Sequence, residues 1–348
     1  MDKRKPPRRP TSADVARAAG VSRTQVSYVL NDTGGEHVSR ERRVRIMEAA
    51  RSLGYLPHSA AQALRRGYRN EFAIFFPAPY TPRINEMLGA VHQRGLADGC
   101  APTQYSFNSY AHPERKLEAF KLLLASRPRG LFCSLLDLGM EEIAMAKDGG
   151  VELILALDVE RHEGLTTLLN PAYGIGYAAG EHLVGLGHRR IGLIRPSDPI
   201  QARPFELRLR GFAKAAEESG GAELVVMPWP SENLRPTMRY ADDFVRERLS
   251  APDAPTALYA YSDDYALPLL AALTDRGVRV PEDLSLLGTD DLPYGAMARP
   301  ALSTVELDAR SLGERAVELM NRLLVEGPAV SEPDPRPRVI ARASTAAP

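Results

Sequence analysis

The chain has 348 residues, 44% of them hydrophobic, which is enough for two or three domains with buried cores. Its formal net charge of zero hides an uneven distribution. Residues 1–70 carry 15 Lys and Arg against 6 Asp and Glu, a net charge of +9, and the remainder, with 29 against 38, carries −9. A basic N-terminal region joined to an acidic remainder favours a polyanionic partner at that one end.

We expect neither export nor membrane insertion of this chain. Its first ten residues, MDKRKPPRRP, have the charge of a signal peptide but no apolar segment after them, and no run of about 18 apolar residues follows anywhere. Cys100 and Cys133 are too few for a disulfide framework and lack metal-ligand spacing, so we expect reduced thiols and no metal site. The sequence therefore predicts a cytoplasmic protein whose residues 1–10 form a disordered basic arm.

The stretch DVARAAGVSRTQVSYVLN, residues 14–31, predicts two short helices joined by a tight turn. Thr11 or Ser12 can cap the first helix, and Gly20 ends it. Ser22 and Gln25 have the spacing of a capping box at the start of the second helix. The first helix then buries Val15, Ala16 and Ala19, and the second turns Val26, Val29 and Leu30 toward Val21 and Val15. Arg23, Thr24, Ser27 and Tyr28 are left outward, as in a helix-turn-helix unit; an ordinary helical hairpin is the alternative.

A third helix is predicted from a cap at Ser39 to a stop at Gly54, and it completes a small bundle. The residues expected to face inward are Val44, Met47, Ala50 and Leu53. After this helix, Ala60, Ala61, Ala63 and Leu64 form one face of a short helix that would be marginal alone.

From Glu71 onward, short apolar runs alternate with amphipathic helical patterns. The expected strands are 72–76, 131–136, 153–157, 191–194, 224–227, 257–261 and 284–287, with helices at about 84–98 and 113–126. Continuous apolar strands separated by helices predict parallel sheets covered on both faces, and there are enough units for two such sheets.

Five stretches of the chain resemble the lactose-repressor/galactose-repressor (LacI/GalR) family, in that family's order and over nearly the whole length. They are TSADVARAAGVSRTQVSYVLN, VSRERRVRIMEAARSLGYLPHSAAQALRRG, HLVGLGHRRIGLI, SDDYALPLLAALTDRGVRVPEDLSLLGTDDLPYGAMARPALSTV and the closing VIARAST.

The resemblance implies an all-α helix-turn-helix headpiece (residues 11–56), a hinge helix and linker (57–70), and an α/β periplasmic-binding-protein-like core (71–348) of two doubly wound parallel-sheet lobes. We expect the N-lobe at about 71–160 and 306–327 and the C-lobe at about 161–305 and 328–348. The implied crossings between the lobes lie near 158–163, 291–305 and 327–337, with an effector in the cleft between the lobes.

The resemblance also implies residues that contact an operator. They are Ser22, Arg23, Thr24, Gln25, Ser27, Tyr28, Asn31, His37, Tyr55, Ala61 and Leu64. Leu64 occupies the position of a leucine that wedges into a minor-groove step, and a plain linker is the alternative for its segment. Tyr28 replaces an arginine that commonly reads a guanine, so we expect a palindromic operator with an unusual half-site.

The implied effector contacts lie at strand ends around the cleft. They are Tyr80, Arg83, Asp158, Arg208, Trp229, Ser262 and Asp290. Asp290 and Arg208 would bind a polar ligand and Trp229 would stack on its ring. Caps or ion pairs are the alternatives for Asp290 and Asp158, and a plug at the core edge is the alternative for Trp229.

The cleft residues also depart from the family pattern. Ser262 replaces the usual asparagine, and PAPYTPRIN replaces the usual first loop, so that Tyr80 and Arg83 would enter the cleft. The usual Asp-Asn pair near 170–172 is absent. These departures concern which effector binds rather than whether one binds.

Rival classes find little support in the residues. Gly174, Gly176 and Gly180 miss the spacing of a dinucleotide motif and fit helix packing better, and His188 has no nucleophile partner in the sequence. A soluble small-molecule binding protein would not need the basic headpiece. We therefore expect a homodimeric, ligand-responsive transcriptional repressor without cofactor or catalytic residues. Its effector would be a sugar or sugar-like metabolite, with a nucleobase or another metabolite as the alternative.

Overall fold

The computed structural model describes residues 10–30, 38–55, 69–78, 81–98, 102–108, 112–229, 238–249, 253–327 and 335–348. The chain divides into two compact units, Met1–Asn70 and Glu71–Pro348. No helix of the described residues is both long and apolar enough to cross a bilayer.

The first unit contains three helices, α1 (Ser12–Ala19), α2 (Arg23–Leu30) and α3 (Arg40–Leu53). Helix α1 begins with a capping box. Asp14 N–H donates to Thr11 Oγ1 at 3.4 Å, and Thr11 N–H donates to the Asp14 carboxylate at 2.9 Å. The predicted capping box of α2 is present, since Gln25 N–H donates to Ser22 Oγ at 3.2 Å and Ser22 N–H to Gln25 Oε1 at 3.3 Å. The three helices enclose a small apolar core of Val15, Ala16, Ala19, Val26, Val29, Val38, Ile46, Ala49 and Ala50.

The predicted inner face of α3 was wrong by about one residue. Ile46 and Ala49 are buried together with Ala50, whereas Val44 and Met47 are each 50% exposed and Leu53 is 38% exposed. Apolar residues occur on two sides of this helix, and the side carrying the small alanines allows the closer approach of α1.

The N-lobe of the second unit is a five-stranded sheet in the order β2-β1-β3-β4-β5. Its strands are β1 (Arg69–Phe75), β2 (Thr103–Tyr105), β3 (Pro128–Ser134), β4 (Leu153–Asp158) and β5 (Thr166–Leu169). The pairs β1–β2, β3–β4 and β4–β5 are parallel. Side chains alternate along β1, so that Phe72 and Ile74 enter one apolar core and Ala73 and Phe75 another on the opposite face.

Helices cover both faces of this sheet, as a buried parallel sheet requires. They are α4 (Pro82–Ala97), α5 (Lys116–Ala125), α6 (Met140–Asp148) and the later α12 (Ala309–Glu326), with a 3₁₀ turn at Pro113–Arg115. Helix α12 packs on α4 with little space between the backbones, because a Cβ added at Gly313 would lie 2.2 Å from the Met87 carbonyl oxygen. Cys133 is a buried free thiol in β3; Cys100 lies outside the described residues.

The C-lobe is a six-stranded sheet in the order β11-β10-β9-β8-β6-β7. Its strands are β6 (Arg190–Arg195), β7 (Glu223–Pro228), β8 (Ala257–Tyr259), β9 (Ser285–Thr289), β10 (Ser303–Glu306) and β11 (Arg338–Ile340). Its helices are α7 (Ala172–Gly185), α8 (Ala202–Glu218), α9 (Met238–Arg248), α10 (Asp263–Asp275) and α11 (Pro293–Met297). All pairs in this sheet are parallel except β10–β11, so the expectation of a purely parallel sheet fails at this edge.

Two of the predicted crossings between lobes need correction. Strand β5 lies beyond 158–163 and still pairs with β4, so the N-lobe extends to Leu169 and the chain crosses just before Ala172. Strand β10 belongs to the C-lobe sheet, so the second crossing lies between Glu306 and Ala309 rather than at 291–305. The third crossing lies between α12 and β11.

Candidate DNA interface and effector cleft

The start of α2 presents polar side chains to solvent. Ser22, Arg23 and Thr24 are exposed, while Gln25 and Ser27 are half-buried. Tyr28 and Tyr55 are half-buried and pack against the headpiece core. This places exposed hydrogen-bonding groups on the first turn of a short helix, where a groove-binding helix contacts base edges. Asn31, His37, Ala61 and Leu64 lie outside the described residues.

A cavity of about 830 Å³ lies between the two lobes of the core. Its walls come from the carboxyl ends of strands and the segments that follow them, as expected for ligand sites of open α/β sheets. The volume is within the range of small-molecule sites. The polar lining residues are Thr81, Arg83, Ser134, Asp137, Asp158, Asn170, Asp198, Gln201, Arg208, Tyr261, Ser262, Asp264, Tyr265, Asp290 and Tyr294.

Asp290 and Arg83 form an ion pair across the cleft. Asp290 follows β9 in the C-lobe and Arg83 lies in the first turn of α4 in the N-lobe. Arg83 Nε is 3.2 Å from Asp290 Oδ1, and both side chains are nearly buried, with 13% and 11% exposure. The N–H is not aligned with the oxygen, so Oδ1 has no hydrogen-bond donor among the described residues. Burial raises the pKa of Asp290, although the charges of Arg83 and Arg208 oppose the rise.

Arg208 is buried on α8 and is held by Tyr261. Its Nη1 donates to the Tyr261 carbonyl oxygen, and its guanidinium carbon lies 4.0 Å from the centroid of the Tyr261 ring. Its Nε has no acceptor among the described residues. Arg208 therefore combines a fixed position with one unused donor at the cleft.

Asp158 ends β4 and lines the cleft, but its carboxylate already contacts other residues of the chain. Val159 N–H donates to Oδ1 at 2.7 Å, and Oδ2 lies 2.5 Å from His162 Nε2 and 3.5 Å from Arg203 Nη1. These contacts agree with the alternative interpretation of Asp158 as a member of an ion pair.

Ser262 precedes α10 and lines the cleft as predicted, with its hydroxyl making no capping hydrogen bond. The next residue, Asp263, is fully buried and accepts from Leu292 N–H at 2.8 Å and from Thr304 Oγ1 at 2.9 Å. Burial, followed by the charge of Asp290, raises the pKa of Asp263 to about 7.

The prediction that Trp229 stacks on the effector was wrong. Trp229 is 3% exposed, packs face to face with Phe244 at a centroid distance of 5.5 Å and edge-on to Tyr265 at 5.2 Å, and does not line the cleft. The large ring gains more from apolar contacts on both sides than from one face in a wet cavity. Tyr80 lies outside the described residues.

Several lining residues were missed in the sequence, among them Asp137, Asp198, Asn170 and Tyr261. Asp137 and Asp198 follow β3 and β6, so the position of an acid just after a predicted strand was the available signal. His188, which had no predicted catalytic partner, bonds Thr256 Oγ1 and the Ala346 carbonyl oxygen, each at 2.9 Å. It fastens the C-terminal segment to the C-lobe.

Comparisons with known proteins agree with this architecture. A family model described as bacterial regulatory proteins, lacI family, matches residues 11–58, and one described as a periplasmic binding protein-like domain matches residues 180–345. The HTH-type transcriptional repressor PurR of Escherichia coli O139:H28 (strain E24377A / ETEC) is 28% identical over 342 residues, 97% of each chain. PurR of Haemophilus influenzae (strain PittEE) is 28% identical over 312 residues, covering 89% of this chain and 90% of that protein.

The fold also matches a solved repressor complex. The crystal structure of the lac repressor dimer bound to operator and the anti-inducer ONPF aligns with a TM-score of 0.79 and 25% identity, over 98% of this chain and 100% of that chain. These relatives are repressors and not enzymes. With a helix-turn-helix headpiece joined to a two-lobed α/β core, the chain belongs to the LacI/GalR family and is a DNA-binding transcriptional repressor.

Proposed function

We propose that this repressor binds a palindromic operator as a homodimer and that a small polar effector in the interlobe cleft changes its affinity for DNA. The effector proposal rests mainly on three buried polar atoms of cleft-lining residues that have no hydrogen-bond partner among the described residues: Asn170 Oδ1, Arg208 Nε and Asp290 Oδ1. Leaving such atoms unsatisfied costs about 1–3 kcal/mol each, so a ligand that pairs with them gains this energy.

The DNA proposal rests on the exposed first turn of α2 and on the basic N-terminal region. Two headpieces related by a two-fold axis would read half-sites about 34–36 Å apart. Arg23 is the candidate for base reading in place of the arginine that Tyr28 replaces. Leu64 is the proposed minor-groove wedge.

Selection of sites from random DNA tests the operator proposal. We expect a palindrome that differs from the family's common half-site at the position facing Tyr28. Recovery of the common half-site would overturn the assignment of Tyr28, and recovery of a non-palindromic site would overturn the homodimer. Affinity for the selected site should fall steeply with salt, with a slope set by the number of phosphates contacted.

Leu64→Ala tests the hinge. It should weaken binding to the selected operator while leaving nonspecific DNA binding nearly unchanged, because only the specific complex recovers the cost of unstacking a base step. Equal loss on both DNAs would refute the wedge.

A sugar or sugar-like metabolite is the first effector class, because Asp290 and Arg208 offer an acceptor and a donor to hydroxyl groups. A nucleobase is the alternative, and the tyrosines of the lining favour it: Tyr261 and Tyr265 could contact a planar ring.

Titration with sugars, sugar phosphates and nucleobases, followed by calorimetry and by the fluorescence of the single tryptophan, separates these classes. Trp229 contacts Tyr265, which lines the cleft, so its emission can respond without touching the ligand. Binding of one class, lost in Asp290→Asn, is the expected result. Silence in both measurements would remove the sugar-sensor proposal.

A further inference from the structure

Two carboxylates face the cleft from opposite lobes. Asp137 follows β3 in the N-lobe and Asp198 follows β6 in the C-lobe, and both line the cavity. Asp198 is 8% exposed. Burial is the main cause that raises the pKa of Asp137 to about 6. The charge of Asp198 also raises this pKa, and the Ser134 hydroxyl and the charge of Lys116 lower it.

The neighbouring cation, Lys116, forms no ion pair with either acid among the described residues. Lys116 Nζ donates to the main-chain oxygen of Asp137 at 3.2 Å and forms its ion pair with Glu142 at 2.9 Å. Asp198 uses one oxygen to accept from Ile200 N–H at 3.0 Å. In the part of the chain that the structure describes, neither Asp137 nor Asp198 has an ion-pair partner. Two acids that face one cavity, neither of them in an ion pair, favour a positively charged occupant.

Asn170 provides an independent sign of a ligand rich in hydrogen-bond donors. It lies at the crossing between lobes, lines the cleft and is 7% exposed. Its main-chain N–H is satisfied by the Asp158 carbonyl oxygen at 2.7 Å, but its side-chain Oδ1 is buried without a donor among the described residues. A buried acceptor of this kind is costly unless a ligand or water donates to it.

The other charged groups of the lining are already engaged. Asp290 pairs with Arg83, Asp158 with His162 and Arg203, and Asp264 accepts from the Tyr294 hydroxyl. Arg208 is a further cation of the described lining, and its charge acts on Asp290. Asp137 and Asp198 remain as lining acids that form no ion pair among the described residues. No group of three or more metal-ligating side chains occurs among the described residues, which favours an organic cation over a metal ion.

We propose that the effector carries a protonated primary amine, seated between Asp137 and Asp198, on a hydroxylated skeleton whose remaining groups reach Asn170, Asp290 and Arg208. An ammonium group supplies three donors and one positive charge, which fits two carboxylates. Because the acids belong to different lobes, the bound cation would join them and favour lobe closure. This inference rests on the proposed effector function and narrows the effector to cationic amines.

Pairs of sugars that differ in the presence of an amine test whether the cleft prefers a positively charged ligand. Glucosamine and galactosamine are compared with glucose, galactose and N-acetylglucosamine by calorimetry on the full chain, at a pH of about 7, which lies above the pKa of Asp137 and below the ordinary range of amine pKa values. The amines should bind at least about tenfold more tightly than the neutral sugars. Asp137→Asn and Asp198→Asn should each remove most of this preference of the amines over the neutral sugars. Asn at 198 also retains a side-chain oxygen for the Ile200 N–H.

Asp148→Asn, an exposed acid at the end of α6, is the control variant and should alter nothing. The proposal is overturned if amines and neutral sugars bind equally, if the two cleft variants keep the amine preference, or if calcium alone binds and is lost in the same variants. It also falls if no amine binds. The wider effector function would survive that failure if a neutral or anionic compound bound the cleft and shifted operator affinity, and it would fail only if none did.

Discussion

Asp263 is a fully buried carboxylate beside the cleft, held between the Leu292 amide and the Thr304 hydroxyl. Two hydrogen bonds lower its pKa, but burial and the nearby charge of Asp290 outweigh them, and the pKa rises to about 7 from 3.8. The folded protein therefore holds a proton that the unfolded chain releases between about pH 4 and pH 7. Stability falls as pH rises through this window and is retained at its acidic end.

Asp263→Asn tests this consequence. The amide keeps the shape, can accept from Leu292 N–H and can donate to Thr304, but it cannot ionise. We expect the melting temperature of the variant to equal or exceed that of the wild type by a few degrees at about pH 8, and the difference to shrink toward pH 5. Thermal melts at both values measure it, with Asp148→Asn as the exposed control. A difference that does not depend on pH would show that Asp263 is not titrating.

The ion pair of Arg83 with Asp290 joins the lobes through two nearly buried side chains. Arg83→Ala removes the ion-pair partner of the carboxylate and leaves it only the charge of Arg208. We expect the core to lose up to about 3 kcal/mol of stability, the lower end of the loss when one partner of a buried pair is removed. The double variant Arg83→Ala/Asp290→Asn should recover much of this loss. Denaturant unfolding of the single and double variants measures the coupling, and additive losses would mean that the pair contributes nothing.

At the scale of elements, helices α7 and α8 pack with almost no space between their backbones. A Cβ added at Gly176 would lie 1.8 Å from the Arg208 carbonyl oxygen, and one added at Gly211 would lie 2.0 Å from the Tyr173 carbonyl oxygen. Of the glycines that imitate a dinucleotide motif, Gly176 and Gly180 therefore serve helix packing, as expected, whereas Gly174 faces Pro337. This packing also sets the position of Arg208 at the cleft.

Gly176→Ala should accordingly affect both stability and effector binding. The clash with the backbone of α8 should cost about 1–3 kcal/mol and displace Arg208 from Tyr261. Gly185→Ala, on the same helix but with open space at its Cβ position, should be neutral or slightly stabilising. Unfolding curves and effector titrations of the two variants make the comparison. Equal behaviour of the two would contradict the tight contact.

The elements that the sequence predicts well are those with a continuous apolar run or a helical period. Strand β4, with every residue buried, was expected at nearly its observed bounds, but β5 (TTLL) is short and half threonine and was missed. That omission displaced the first lobe crossing. The antiparallel β11 was missed for a similar reason, since only three residues pair with β10 and two of them are half-buried.

Individual residues that line the cleft could be predicted from their positions in the sequence. Pairs of residues that face each other from the two lobes could not. Arg83, Arg208, Ser262 and Asp290 line the cleft as the resemblance implied. Trp229 does not, because the choice between core and cavity depends on Phe244 and Tyr265, which lie far from it in the sequence. The facing acids Asp137 and Asp198 likewise become a pair only through the arrangement of the two lobes.

For the whole molecule, the proposed function requires that the cleft and the operator be coupled. An effector that bridges the lobes can change DNA affinity only if it binds the two lobe arrangements with different affinities. We expect a coupling of about 1–3 kcal/mol, or about 5- to 150-fold in operator affinity. Because coupling is reciprocal, saturating operator DNA must change the effector's dissociation constant by the same factor.

Two titrations measure this coupling, one of operator with and without effector, and one of effector with and without operator. Asp290→Asn should reduce effector affinity in both DNA states, and Arg23→Ala should weaken operator binding while leaving the effector affinity of the DNA-free protein unchanged. If the two factors differ beyond error, the effector acts at a further site. If both equal one, the cleft binds its ligand without regulating DNA binding, and the repressor is controlled by other means.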